Sequence, residues 1–287
     1  MTNTMQPDAA SIKDTVQSNS TYAFELQVLS RLEGHGIKCV HSGAYRDLIT
    51  NKLREFDIYG YAQFNVREIG FVHHIAVECK RIDPCSPLVV LGSQVASDKS
   101  SFPSPVYSLS GDNEALYTRH YANEFIGRSM EQMQSREVTT GKGREKISST
   151  VWSLNDGDIF SKMSQAISST TTIIKDRLTL PDQGHSETFT EVTPILVVPD
   201  GTLWVVEFTN IGDINVMPKQ CNALRYFIDY RCDENTTNRT NRTVDIPHMT
   251  ICTESALISS LDTSEIRNLA QDYYINPEFK PVKEQRW

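Results

Sequence analysis

Four residues in the first third of the chain, Glu25, Asp57, Glu78 and Lys80, combine residue type and position in a way that suits chemistry. Glu25 falls within residues 21–33, whose spacing predicts an amphipathic helix opened by Ser20 or Thr21 and stopped at Gly34. Helical geometry puts Glu25 between Leu29 and Leu32, near the centre of an apolar stripe shared with Tyr22, Leu26 and Val28. A carboxylate on that face needs a cation or a hydrogen-bonding network, unless it snorkels past the edge of the core. Asp57 sits between Phe56 and Ile58 in a strand-like run, so alternation gives it a face apart from both. In 74–80, the same alternation sets Glu78 and Lys80 on one face and Val77 and Cys79 on the other. An acid and a base therefore emerge together at the end of an apolar strand. A strand finishing in solvated charges has the same text, so E-x-K by itself is a weak signal.

The elements that must position these residues follow from the pattern around them. Strands are expected over 37–41, 55–64 and 71–82, with Gly70 in the last turn, as an antiparallel meander. A Ser-, Pro- and Gly-rich stretch from about 83 to 150 reads as an insertion carrying a helix at 113–134. Beyond it, 158–177 reads as a helix despite its β-branched run at 170–174. Strands at 193–198 and 202–209 flank Pro199-Asp200-Gly201 as a predicted hairpin. Residues 221–230 read as a helix, 248–252 as a strand and 264–273 as a closing helix. Asn235, Asn238 and Asn241 each open an N-x-T triplet in a polar run that reads as a solvated loop. Residues 1–20 are polar and read as a flexible tail, leaving 21–287 as one domain.

A helix with an inward Glu25, a strand carrying Asp57, a turn, and a strand ending in Glu78-Cys79-Lys80 together resemble the PD-(D/E)xK nuclease superfamily, with Phe56 in place of the proline. The resemblance spans residues 21–82. It implies an α/β restriction-endonuclease-like core, a mixed central β-sheet flanked by helices, with the insertion following the E-x-K strand. It also implies that Asp57, Glu78, the Cys79 carbonyl and Glu25 hold Mg²⁺ or Mn²⁺, while Lys80 orients or deprotonates the attacking water. The implied activity is divalent-metal-dependent hydrolysis of nucleic-acid phosphodiesters, by an endonuclease acting on DNA in preference to RNA, in defence, restriction or repair. An RNA nuclease and a catalytically inactive binding or assembly module of the same fold are the alternatives. Gln165 lies where relatives place a polar residue beside the active site.

Other residues compete for attention. Asp200 and Glu207-Phe208-Thr209 spell a rival PD…E-x-T site, but Asp200 occupies a turn and threonine supplies no cation. Arg136, Lys142, Arg144 and Lys146 cluster around two glycines and suit contact with phosphates, although Glu137 and Glu145 dilute them and a solvated loop explains them as well. His73 and His74 face opposite sides of their strand and so do not chelate one ion together, with His74 sharing the Glu78 face. Trp152 and Trp204 read as core residues rather than base-stacking platforms.

Bulk properties narrow the setting. A net charge of -8 argues against a protein that coats nucleic acid with lysine and arginine. Residues 1–150 hold 16 Lys/Arg against 17 Asp/Glu, and the remainder 12 against 19, so the first half is the better nucleic-acid face. Six scattered cysteines without a C-x-x-C pair fit reduced thiols and a cytoplasmic location. No signal peptide or membrane span is expected, since the apolar stretch 192–211 is broken by prolines and acids. A homodimer is compatible with the reading, and no protein partner is indicated.

Overall fold

The computed structural model describes residues 8–47, 51–66, 69–94, 101–108, 115–121, 125–140, 147–155, 157–178, 188–209, 212–214, 217–234 and 242–261. Two helices open the chain, α1 (Ala9–Asn19) and α2 (Thr21–Gly34), followed by strands β1 (Lys38–Arg46), β2 (Leu53–Val66) and β3 (Ile69–Cys79). Then come β4 (Leu88–Gln94), β5 (Ser101–Ser108), β6 (Ala115–Tyr121), β7 (Phe125–Thr140) and β8 (Ile147–Asn155), and the helix α3 (Gly157–Leu178). Five further strands, β9 (Thr188–Val198), β10 (Leu203–Glu207), β11 (Lys219–Gln220), β12 (Ala223–Glu234) and β13 (Arg242–Thr253), complete a mixed sheet. Its main path runs β1-β2-β3-β9-β13-β12-β7-β4-β10-β11. The result is a mixed α/β architecture with a central sheet and helices on its faces. Among the described residues, no helix is long and apolar enough to cross a membrane.

The expected meander is present. β1 pairs antiparallel with β2, and β2 with β3. β3 then pairs parallel with β9, which requires a crossover, and α3 lies on that connection. Alternation along β9 divides the interior. Ile195 and Val197 pack with Phe24, Val28 and Leu32 of α2, whereas Leu196 and Val198 pack with Ile159 and Ala166 of α3. The two helices therefore cover opposite faces of the same central strand.

Several sequence expectations are corrected. Residues 9–19, expected as a loose tail, form α1, whose first turn is capped by the Asp8 carboxylate accepting from Ser11 N. The helix expected at 113–134 is instead β6 and most of β7, paired with β5 and β4 respectively. Its Ala, Leu, Glu, Met and Gln content favours helix, but the hydrogen-bonding demand of neighbouring strands overrides a weak propensity. Residues 83–150 thus supply strands of the same sheet, and Leu88, Val90 and Met130 join the α3-side core. The helix expected at 221–230 is β12, where buried Leu224 and Tyr226 follow a period of two. The expected hairpin of 193–198 and 202–209 does not form. Gly201, at φ 77°, makes the tight turn, but β9 pairs with β3 and β13 while β10 pairs with β4 and β11. The chain leaves one arm of the sheet there and enters the other, and Leu196, Val198, Leu203 and Val205 meet in one core between the arms. The closing helix at 264–273 and the Asn235, Asn238 and Asn241 triplets lie outside the described residues.

Candidate active site

Where β2 and β3 part, two carboxylates meet. The ladder between these strands ends at Ile58–Val77, after which β2 continues against β1 and β3 against β9. Asp57 and Glu78 are the next residues on each side of this opening. The Asp57 carboxylate fills the gap by accepting the Cys79 backbone N–H at 2.7 Å, a donor the diverging strand no longer satisfies. Phe56, beside it, lies across Gly43 of β1, where a side chain of any other residue would run into the ring. Its ring stacks on Tyr45 and meets Tyr59 edge-on.

A cation occupies the point where the carboxylates converge. It is the ammonium of Lys162 in α3, 2.7 and 3.0 Å from the two Asp57 oxygens and 3.1 Å from Glu78 Oε2. Lys162 was missed by the sequence reading, yet its signal was of the same kind as that of Glu25. It stands three residues after Ile159 and four before Ala166, both fully buried, so a lysine lies on the apolar stripe of its helix. The stripe continues through Ser169, Thr170 and Ile174. Within the β-branched run, Thr171 and Thr172 donate to the carbonyls of Ile167 and Ser168, which satisfies their hydroxyls inside the helix.

Electrostatics at this point are those of a crowded, dry pair of acids. Glu78 is 0 % exposed, and its Oε1 is buried without a hydrogen-bond partner. Burial, and then the charge of Asp57, push the Glu78 carboxyl up to about 8 against the pull of Lys162. Burial works against the charge of the Lys162 ammonium, but Glu78 and Asp57 together outweigh it and hold the group above its ordinary value. Glu25 is raised by burial first and by Asp57 second, opposed by its bond to His41. That bond, Glu25 Oε2 to His41 Nε2 at 3.1 Å, makes His41 of β1 a second member absent from the sequence reading. The buried line of α2 is Phe24, Val28 and Leu32, with Tyr22 and Leu26 exposed, so Glu25 flanks the stripe rather than centring it.

Lys80 lies one residue past β3, where its backbone N–H donates to Val197 O at 2.9 Å and extends the ladder to β9. The Cys79 side chain points into the α2 core, so only its backbone faces the carboxylates. Gln165 is three residues on from Lys162, and its carbonyl accepts from the Tyr45 hydroxyl. The two histidines do face apart: His73 bonds Thr193 Oγ1 and is driven by burial to about 4, while His74 Nδ1 lies 2.7 Å from the Tyr59 hydroxyl. Asp200 caps the turn after β13 by accepting Ser255 N at 3.0 Å; its burial opposes ionisation, but the Ser255 bonds prevail and its carboxyl lies low. Glu207 ends β10, so that five-residue strand, at roughly 3.3 Å per residue, separates it from Asp200. Arg136 lies in β7, and Lys142, Arg144 and Lys146 fall outside the described residues.

Comparison with protein-family models, curated proteins and solved structures finds no match. Among the described residues, no three His, Cys, Asp or Glu side chains are grouped as a ready-made metal cluster. What is grouped is two carboxylates, an orphaned oxygen and a cation between them. A hard divalent ion fits this donor set, because Asp57 and Glu78 offer only oxygens and the space already accommodates positive charge.

Proposed function

We propose that this chain is a divalent-metal-dependent nuclease with a restriction-endonuclease-like core, acting on DNA in preference to RNA. The observation that carries the reading is the convergence of Asp57 and Glu78 on one cation, with Glu78 Oε1 buried and unpartnered. Burying two acids side by side is costly even with a cation paired to them, so a functional role accounts for keeping them better than stability does. In this reading Asp57 and Glu78 hold Mg²⁺ or Mn²⁺, assisted by the Cys79 carbonyl and by Glu25. Bound there, the ion supplies Lewis acidity toward a phosphodiester and toward water. Asp57 is fixed for that task by its bond to Cys79 N, and Glu25 is oriented by His41. Lys80, following Glu78 by two, supplies the ammonium that orients the attacking water.

One observation favours a second reading, a nucleic-acid-binding or assembly module without cleavage: the carboxylates have a partner of the chain's own in the Lys162 ammonium, which pairs with both. A cleavage assay separates the two. Plasmid DNA and a structured RNA are incubated with the protein in Mg²⁺, Mn²⁺ or EDTA, alongside Asp57→Ala, Lys80→Ala and Glu207→Ala. The expected outcome is cutting in Mg²⁺ or Mn²⁺, abolished by EDTA and reduced at least about 100-fold in Asp57→Ala and Lys80→Ala, the scale of losing one electrostatic stabiliser. Glu207→Ala should cut normally. Nucleic-acid binding without cutting under all conditions would support the second reading instead.

A further inference from the structure

The ammonium of Lys162 sits where a divalent cation would sit, and this has a consequence for how the site is filled. Its three short contacts use both oxygens of Asp57 and one of Glu78, the same atoms a metal would need. Two point charges cannot share that space, since their repulsion at contact distance in a poorly solvated site is severe. Lys162 is also able to leave. Its charge ends a flexible four-carbon stem in the second turn of α3, and its side chain keeps 22 % of its surface exposed. Further along, α3 is held against the sheet by Tyr45 donating to Gln165 O and Ser168 donating to Asp47. Displacement of the side chain therefore needs no movement of the helix.

We propose that Lys162 is a tethered cation of the site, which holds Asp57 and Glu78 together in the metal-free protein and competes with the divalent ion for them. The inference rests on the metal-dependent reading above and adds a residue to it. Lys162 keeps two buried acids compatible with folding when no metal is bound, and it sets a threshold of metal concentration below which the site stays closed.

The test is a calorimetric titration of the full chain with Mn²⁺, comparing wild type, Lys162→Met and, as a control for net charge, the exposed Lys219→Met. Removing the competitor should tighten Mn²⁺ binding about tenfold or more in Lys162→Met and leave Lys219→Met unchanged, in keeping with the strength of a hydrogen bond between charged groups. The Lys162→Met protein should melt at lower temperature than wild type in EDTA, with the gap closing in Mn²⁺. Wild type supplies an independent measurement should the variant fail to fold. Acetylation of lysines by an activated ester, mapped by mass spectrometry, should modify Lys162 faster in Mn²⁺ than in EDTA. Equal or weaker Mn²⁺ affinity in Lys162→Met, or equal Lys162 acetylation in both conditions, would overturn the inference while leaving metal binding intact. An absence of Mn²⁺ binding in every protein would overturn the metal-dependent reading and this inference with it.

Discussion

At the scale of single residues, Glu78 governs the response to pH. Its carboxyl is raised from 4.5 to about 8, chiefly by burial and then by Asp57. The folded protein therefore takes up this proton more readily than the unfolded chain does. The stabilisation is fully present below the unfolded value and is lost as pH rises through about 8. Glu78→Gln has no proton to lose, so in EDTA its melting temperature, measured relative to wild type, should climb between pH 4.5 and 8. Metal binding has the opposite sign, because the ion needs the ionised carboxylate. Mn²⁺ affinity of the wild type should rise about tenfold per pH unit up to about 8 and then level off, with close to one proton released per ion. A flat calorimetric profile across that range would place the titrating proton elsewhere. Asp57 and Glu78 were legible in the sequence because strand alternation isolates a polar residue among apolar ones. Lys162 was not, because it is 84 residues from Glu78 and its contact exists only once α3 has docked.

At the scale of elements, the placing of α3 decides whether a cation reaches the acids at all. Asp47, one residue past β1, is buried and ties three parts together: it lies 2.9 Å from the Arg54 guanidinium of β2 and accepts from Ser168 of α3 at 3.0 Å. Asp47→Ala leaves a guanidinium and a hydroxyl without this acceptor, and should cost about 1–3 kcal/mol in urea denaturation. Ser168→Ala removes one hydroxyl bond and should cost about 1 kcal/mol. If the anchor also aligns Lys162, both variants should show faster Lys162 acetylation in EDTA, in the order Asp47→Ala above Ser168→Ala. The helices α2 and α3 and the first three strands were legible because each buries one face of a periodic pattern. The strands β6, β7 and β12 were not, since runs of mixed propensity take their state from the partner strands they pair with.

At the scale of the whole molecule, the sheet serves two cores through one strand. β9 lies between β3 and β13, parallel to both, and its consecutive residues Ile195 and Leu196 are fully buried on opposite sides. Ile195 belongs to the core under α2, and Leu196 to the core shared by α3 and the far arm of the sheet. Neither face of such a strand shows alternation in the sequence, which is why the run 195–198 reads simply as apolar and the crossing between arms went unseen. Both Ile195→Ala and Leu196→Ala should cost about 2–5 kcal/mol, because each opens a cavity in close-packed surroundings. The side of the strand should matter for the site in a specific way. Leu196 is in register with Glu78 across the β3–β9 pair, whereas Ile195 is in register with Val77. A cavity beneath Leu196 therefore loosens the face on which Glu78 meets Lys162. At matched stability, set by choosing urea concentrations that give equal folded fractions, Leu196→Ala should weaken Mn²⁺ binding more than Ile195→Ala. Equal weakening would mean that the two cores yield as one body and that the acid pair senses only global stability.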